Sequence, residues 1–415
     1  MRFVECLLVV ALGPGLTGAA CDVRLYPLRA QTTGQDSGAL PDAAVPIGAC
    51  PSDLIGFGAM SDPGGEWDGG TGGMPPQPVL DGGATGGGSL DGGTLVVVDA
   101  TDSDALAQFS MYAGDKVPGP LTIVVKGVIF IPPPPDGGSG DLQKIRVSSN
   151  KTVIGANVLP NPGAAGSGSG FTGGGLTLTD VSNVVVRNLV IAMPNPGAAS
   201  DNVDAIHIEG SRQIWIDHCD LSSNGASDPG ASYDGLIDIS DGSDFVTVSW
   251  THYHDHADVG LIGRSDSSAA AAQDAAKDHV TFDHDWYSNV ASGPRIRFGT
   301  VHVLNSFFDG VTNYAIASTD GASVRIEASY FNDVTATQAD PDFGPVATIL
   351  EGATEGDVDL LSDNKFVSSG TNQIAAQDMV PFAVPYPYTP DSRDSVPALV
   401  PSCAGTGKIA APTGN

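Results

Sequence analysis

Basic residues are scarce in this sequence. Lysine and arginine together number 18 against 48 aspartates and glutamates, which gives a formal net charge of -30. So acidic a chain repels phosphate backbones and anionic lipid headgroups, and we predict no nucleic-acid partner. Divalent cations are the partners that such a charge attracts, and an anionic ligand would need a cation to mediate its binding.

The amino-terminal segment has only a short apolar run, from Cys6 to Leu12, which follows Arg2. The run is too short to remain as a membrane span and, with the small residues after it, predicts a secretory signal peptide at residues 1–20. The cysteine directly after "GAA", Cys21, also resembles a bacterial lipoprotein cleavage site, so lipidation and simple secretion both stay open. Either alternative predicts an extracellular protein.

Cysteine is rare as well, with five residues in the chain. Cys219 lies in an apolar run, which predicts a buried thiol. Cys50 and Cys403 bracket the region that we expect to fold, and we predict a disulfide between them, although the sequence alone leaves other pairings open.

Helical patterns are few, and only residues 102–113 and 267–278 have them. Glycine and proline are instead abundant, and they concentrate in segments such as 69–93 and 132–140, which predicts loops there. We therefore expect most of the ordered chain to consist of strands.

One apolar frame recurs through the second half of the chain. Each copy opens with alternating Val, Ile or Phe, has a polar or small residue near its fifth position, and closes with another apolar pair. The copies are "VVVRNLVI" (184), "IWIDHCDL" (214), "VTVSWTHY" (246), "VTFDHDWY" (280), "VHVLNSFF" (301), "VRIEASYF" (324) and "VDLLSDNKF" (358).

The copies start 30, 32, 34, 21, 23 and 34 residues apart. A minimum near 21 with added insertions is typical of a β-solenoid, in which each repeat forms one coil. Asn188 and Asn305, at the fifth position of their copies, fit a tight bend between two strands. A β-sandwich is the alternative, but its strands recur more evenly, every 8 to 12 residues.

Three aspartates are expected to meet on adjacent coils. Asp234 and Asp238 are four residues apart in an extended segment and so face the same side, while Asp204 lies one coil earlier. Strands of stacked coils are about 4.8 Å apart, which allows these carboxylates to share one hard cation such as Ca²⁺. The alternative is that they are ordinary solvated acidic residues.

Several motifs together resemble the polysaccharide lyase family that contains pectate and pectin lyases. They are "IGFGAMS", "PLTIVVKGVI", "SNKTVIGA", "DAIHI", "IWIDHCDLS", "DGLIDISDGSDFVTVSW", "LIGRSDS", "PRIRFGTVHVLNSFF" and "AGTGK". The resemblance covers residues 51–408 and leaves a flexible leader at 21–50 and a tail at 409–415. It implies an all-β, single-domain, right-handed parallel β-helix with long loops on one side, secretion, and calcium-assisted β-elimination of polygalacturonate.

Carried over from pectate lyases, the calcium ligands match Asp204, Asp234 and Asp238, with Asn202 at an accessory position. The family's base is an arginine that begins an Arg-x-Pro-x-x-Arg motif, and the second arginine holds the substrate. In "SGPRIRFG" the second arginine is Arg297, but Ser292 occupies the first position.

A second departure is Asp258, which stands where the family usually has a substrate-binding lysine. Arg264 is a candidate replacement for substrate binding, and Arg295 is a candidate for catalysis together with Arg297. The remaining candidates are the alternating histidines before this position, which form either a transition-metal site or ordinary surface and packing residues; they are His252, His254 and His256. We predict a structural role for His218.

The sequence leaves three functions to compare. The first is an active calcium-dependent lyase on pectate or a related polyuronate, and the second is a catalytically impaired descendant that binds a glycan. The third is a hydrolase on a similar β-helix, which would need two closely placed carboxylates as acid and base. In each case we expect a monomer.

Overall fold

The computed structural model describes residues 50–60, 87–88, 94–133, 144–157, 168–193, 203–223, 235–335, 344–348, 350, 352–375 and 382–410. The signal peptide, the leader as far as residue 49, Asn202 and Asp234 lie outside these ranges. All described residues fall within one compact unit, residues 40–415. No helix in these ranges is both long and apolar enough to cross a membrane.

Twenty-seven short strands form the body of the described structure. In chain order they are β1 Thr94–Asp99, β2 Leu121–Lys126, β3 Val128–Phe130, β4 Lys144–Arg146, β5 Lys151–Gly155, β6 Gly170–Thr172, β7 Gly175–Thr179, β8 Ser182–Arg187, β9 Val190–Met193, β10 Ile206–Glu209, β11 Arg212–Asp217, β12 Asp220–Ser223, β13 Ile237–Ser240, β14 Asp244–Ser249, β15 His252–Asp258, β16 Leu261–Ile262, β17 His279–Asp283, β18 Trp286–Ser292, β19 Arg295–Arg297, β20 Thr300–Leu304, β21 Phe307–Asp309, β22 Ile316–Thr319, β23 Ser323–Glu327, β24 Tyr330–Asn332, β25 Val346–Ala347, β26 Asp357–Leu360 and β27 Lys365–Val367.

The strands assemble into three sheets whose ladders are all parallel. Sheet A has ten strands in the order β1-β2-β5-β8-β11-β14-β17-β20-β23-β26, sheet B has eight in the order β25-β22-β19-β16-β13-β10-β7-β4, and sheet C has nine in the order β27-β24-β21-β18-β15-β12-β9-β6-β3. From β8 onward the chain visits A, C and B in turn, so each coil adds one strand to each sheet. The predicted parallel β-helix is confirmed, and the sandwich alternative is wrong.

The bend between sheets A and C explains the fifth position of the repeat. Asn188 and Asn305 both have left-handed backbone angles, with φ of 54° and 48°. Four other residues occupy the same place in their coils with φ between 48° and 56°; they are His218, Trp250, His284 and Ala328. Because asparagine adopts this conformation easily, it is favoured at the bend, but the repeated geometry also accepts other residues.

Side chains that point inward stack coil upon coil along the axis. On sheet C the rings of Tyr253, Tyr287, Phe308, Phe331 and Phe366 form a continuous ladder with centroids 4.4 to 4.9 Å apart. The stack lies in register with the strands. A one-residue slip would turn every one of these rings to the outside, so the ladder fixes the register that also positions the outward-facing residues.

Within the described ranges, three α-helices and one 3-10 turn accompany the strands. They are α1 Ala105–Ala113, α2 Ser268–Asp274, α3 Val396–Cys403 and the turn Phe57–Ala59. The two predicted helices, within 102–113 and 267–278, are confirmed. The expectation of only two was wrong, because α3 contains Pro397 and Pro401, which obscure a helical pattern in the sequence.

A disulfide joins Cys50 to Cys403, the pair that the sequence predicted, with the two Cα atoms 5.5 Å apart. It closes a loop with a sequence separation of 353 residues. Cys219 is a buried free thiol, as expected.

We expect the double variant Cys50→Ser/Cys403→Ser to lose about 2–5 kcal/mol of unfolding free energy, because the unfolded chain is no longer constrained. Urea denaturation of the variant and of oxidised wild-type protein measures this loss, and reduced wild type should match the variant. Equal midpoints for oxidised wild type and variant would contradict the prediction.

A carboxylate beneath the carboxy-terminal residues predicts how stability depends on pH. Glu327 Oε1 lies 2.7 Å from His302 Nε2 and accepts hydrogen bonds from Tyr388 and Arg325. Burial alone would raise the pKa of Glu327, but these hydrogen bonds lower it to about 2. Its contribution to the free energy of unfolding is therefore fully present above the ordinary glutamate pKa near 4.5 and is lost as the pH falls towards 2.

We expect Glu327→Gln to reduce the unfolding free energy at pH 6 more than at pH 2.5, because only the ionised wild-type carboxylate gains from its donors. Urea unfolding at both values measures the difference. A loss that is independent of pH would contradict this role.

Candidate active site

The outward face of sheet B brings the predicted site residues into two neighbouring rows. In one row His207 pairs with Asp238, and Leu261 pairs with Arg295. In the other row Arg297 pairs with Thr319. Adjacent strands are about 4.8 Å apart, so an acidic region and a basic region lie on one face within the reach of a single extended ligand.

The acidic region contains two buried carboxylates from adjacent coils. Asp204 and Asp238 are 2% and 7% exposed. Ligand atoms of these two residues and of His207 all lie within 4.8 Å of one another. The structure thus brings together two of the predicted calcium ligands, while Asp234 and Asn202 lie outside the described residues.

Backbone donors hold both carboxylates in place. Asp204 Oδ1 accepts from the Gly235 amide at 2.9 Å, and Asp238 Oδ1 accepts from the Leu261 amide at 2.9 Å. A Cβ atom at Gly235 would lie 2.6 Å from Asp238 Oδ1 and 3.4 Å from Asp204 Oδ1. Glycine therefore leaves room between two hard oxygen donors, an arrangement that fits Ca²⁺.

His207 belongs to this region but was missed from the sequence. Its Nδ1 lies 2.8 Å from Asp204 Oδ2, and its Nε2 lies 3.6 Å from Glu209. The alternating pattern of "IHIE" could have identified it, because Ile206 and Ile208 are buried and the two polar residues face outward. Burial, and then the neighbouring carboxyl of Asp241, raise the pKa of Glu209.

The basic region consists of Arg295 and Arg297, which share one carboxylate partner. Arg297 is 7% exposed, donates from Nη1 to the Gly263 carbonyl at 3.0 Å, and bonds through Nε to Asp266. Arg295 Nη2 donates to the same Asp266 oxygen at 3.1 Å. Burial would raise the pKa of Asp266, but the two guanidinium groups lower it.

Gly263 allows this close packing. Its φ is 78°, and a Cβ atom there would lie 3.1 Å from the Cβ atom of Arg297. Asp266 was missed from the sequence because it lies in an insertion whose direction depends on the folded structure.

The two departures from the family pattern lie side by side. Asp258 and Ser292 are partners in the ladder between β15 and β18. Ser292 is buried, accepts a hydrogen bond from Asn313 Nδ2 at 3.2 Å, and also bonds to Tyr314. Burial, and then the charge of Asp258, raise the pKa of Tyr314 to about 12, so this phenol is a poor proton acceptor at neutral pH.

Arg264 faces a different set of partners. Its side chain is 52% exposed, and its Nε lies 3.1 Å from Asp241, while Nη2 donates to Gln273 at 3.3 Å. These contacts separate it from the carboxylate that joins Arg295 and Arg297.

The other histidines that the sequence singled out lie elsewhere in the β-helix. His252 and His254 face outward from sheet C, and His256 is buried against Ser223. His218 is fully buried beside Asp217 and stacks on Trp250, in agreement with a structural role.

Comparisons with known proteins identify the family. A family profile described as pectate lyase matches residues 81–409. Pectate lyase plyB of Emericella nidulans is 36% identical over 332 residues, covering 78% of this chain and 86% of the relative. Pectate lyase B of Colletotrichum gloeosporioides is 34% identical over 290 residues, covering 68% and 74%. Both of these relatives are fungal.

Solved structures show the same fold. The crystal structure of pectate lyase Bsp165PelA from Bacillus sp. N165, in complex with trigalacturonate, is 25% identical with a TM-score of 0.65 and covers 86% of this chain and 99% of its own. Pectate lyase II of Xanthomonas campestris, 22% identical with a TM-score of 0.59, covers the same shares. The fold is therefore the right-handed parallel β-helix that the resemblance implied, and the chain belongs to the pectate lyase family of carbon–oxygen lyases that act on polysaccharides.

Proposed function

We propose that the protein is an extracellular, calcium-dependent lyase that cleaves polygalacturonate by β-elimination. The observation that carries this proposal is the common outward face of sheet B. Asp238 and Arg295 share one row of that face, the buried carboxylate of Asp204 lies beside that of Asp238, and Arg297 occupies the neighbouring row. The predicted signal peptide and the disulfide support a location outside the cytoplasm.

The reaction explains why both charges are needed. β-Elimination transfers the proton at C5, beside the uronate carboxylate, to a base, for which hydroxide from solvent suffices, and expels the glycosidic oxygen at C4, which takes a proton from water. The intermediate gathers negative charge on the carboxylate, so groups that stabilise this charge lower the barrier. When bound, Ca²⁺ would supply Lewis-acid stabilisation of that carboxylate.

Asp204 and Asp238 would hold the cation, and Asp234 and Asn202 are proposed as further ligands from the family pattern. The backbone amides of Gly235 and Leu261 fix the two described carboxylates before any ligand arrives. This preorganisation reduces the cost of ordering the site. It also allows a strongly acidic protein to bind a polyanion.

Arg297 and Arg295 would bind a substrate carboxylate and stabilise its developing charge. Their guanidinium groups already converge on the carboxylate of Asp266, and this contact supports a role in binding carboxylates. An arginine remains protonated in ordinary surroundings, so we assign them electrostatic roles rather than that of the base.

A second candidate function is glycan binding without catalysis. It is favoured by one observation, the serine and aspartate at the positions where the family has its catalytic arginine and its lysine. Asp258 would repel a uronate, and Ser292 cannot act as a base without a partner.

Incubation of the purified protein with polygalacturonate, low-methylated pectin and highly methylated pectin separates these functions. A lyase forms an unsaturated product that absorbs in the ultraviolet. A protein that only binds migrates more slowly in a gel that contains polygalacturonate and forms no product. A hydrolase forms new reducing ends without the ultraviolet absorbance of the unsaturated product. Either of the last two results would contradict the proposal.

We expect Ser292→Ala to keep activity within about threefold of wild type, because the hydroxyl is buried and is not placed to remove a proton without a base beside it. Initial rates with polygalacturonate measure this effect. A loss of a hundredfold or more, with an unchanged circular dichroism spectrum, would instead show that Ser292 participates in the reaction.

A further inference from the structure

A second cluster of metal-binding side chains lies on sheet C, away from the rows of sheet B. His252 and His254 project outward from β15, and Asp220 projects from β12 in the preceding coil. Asp220 and His252 are direct partners in the ladder. Each of the three residues offers one ligand atom, and these atoms all lie within 4.8 Å of one another.

The distances within this cluster suit a small transition-metal ion. Asp220 Oδ1 lies 3.0 Å from His254 Nε2, and Asp220 Oδ2 lies 3.3 Å from His252 Nδ1. Metal–ligand bonds of about 2.0–2.1 Å in a tetrahedron place ligand atoms about 3.3 Å apart. Two imidazoles with one carboxylate favour Zn²⁺ and similar ions over Ca²⁺, which prefers oxygen.

A second layer of hydrogen bonds orients both imidazoles. The His254 nitrogen that faces away from Asp220, Nδ1, lies 2.8 Å from Asp255 Oδ2. The corresponding nitrogen of His252, Nε2, lies 2.8 Å from Ser288 Oγ. His252 also stacks on Trp286 with centroids 3.9 Å apart. Carboxylates and hydroxyls at the outer nitrogen of a ligating histidine fix its tautomer and increase its basicity.

The backbone is shaped to provide this second layer. Consecutive residues of a strand normally face opposite sides, but Asp255 has a φ of 52° and reaches the imidazole of its neighbour His254. Asn289, in the next coil, has the same φ of 52° and donates a hydrogen bond to Asp255. Two adjacent coils therefore adopt the less common left-handed conformation where it supports one side chain.

The cluster is also accessible. The side chains of His252, His254 and Asp220 are 14%, 23% and 25% exposed. An ion can therefore enter from solvent and keep a water molecule as a fourth ligand. We propose that Asp220, His252 and His254 form a binding site for one divalent transition-metal ion of the zinc type, separate from the carboxylate pair on sheet B.

Calorimetric titration of chelator-treated protein with ZnCl₂, in the presence of excess Ca²⁺, tests the site. We expect binding of one equivalent that is abolished by Asp220→Asn and by His254→Gln. Asp255→Asn removes only the second-layer carboxylate and should weaken binding 10–100-fold. The matched control His207→Gln, which changes a histidine beside the aspartate pair on sheet B, should leave zinc affinity unchanged.

X-ray absorption spectroscopy at the zinc edge, on wild-type protein with one equivalent of zinc, identifies the zinc ligands without relying on the folding of any variant. We expect two imidazole nitrogens and carboxylate or water oxygens at about 2.0–2.1 Å. A single imidazole, zinc binding that survives the Asp220 and His254 variants, or no binding at millimolar zinc would each overturn the proposal.

Discussion

Arg297→Ala is expected to lower kcat/KM on polygalacturonate by about 10²–10³, the usual effect of removing one preorganised donor to a developing anion. The guanidinium is buried, and the Gly263 carbonyl fixes its plane. Alanine would remove the charge and also leave Asp266 without one of its two arginine partners. The remaining carboxylate would then repel the substrate.

Two further variants give this prediction its controls. Arg297→Lys keeps the positive charge but loses the planar fork, so it should recover only part of the activity. Arg264→Ala removes an exposed arginine that faces Asp241, and from its contacts we expect a much smaller loss. An equal loss for Arg264→Ala and Arg297→Ala would contradict the distinction and return Arg264 to the substrate-binding role predicted from the sequence.

Asp238→Asn is expected to raise the calcium concentration for half-maximal activity by at least about tenfold. The amide oxygen can still accept from the Leu261 amide, so the fold is kept, but one anionic ligand of the cation is lost. Initial rates over a range of Ca²⁺ concentrations measure the shift. An unchanged calcium dependence would show that the cation binds elsewhere.

Asp220→Asn is the matched control, because it replaces a carboxylate in the same way on a different sheet. We expect Asp220→Asn to leave the calcium dependence unchanged and to abolish zinc binding. Asp238→Asn should shift the calcium dependence and leave zinc binding unchanged. Calcium dependence that moved with Asp220→Asn would contradict the assignment of the two sites.

Much of the fold could be predicted because each coil repeats the same local rule. The alternation of apolar residues gave the strands, and Asn188 and Asn305 marked the bend. The third helix was missed because its prolines conceal it. Handedness did not follow from periodicity and came from the resemblance to the pectate lyase family.

The site could be predicted where strand alternation or the family motif determines it. Asp238 follows from strand alternation, Asp204 from its place one coil earlier, and the two arginines from the resemblance. Asp266 did not, because it reaches the arginines from an insertion whose path no periodic pattern describes. Asp255 could not be expected beside His254, since strand alternation places neighbouring side chains on opposite faces and only the left-handed φ brings them together.

The most direct test of calcium-assisted elimination follows product formation from polygalacturonate in one sample as calcium is added, chelated and restored. The proposed function predicts that the ultraviolet absorbance of the unsaturated product rises with calcium, stops rising after chelation, and rises again when calcium is returned. A rate that is unaffected by chelation, or no unsaturated product at any calcium concentration, would contradict it.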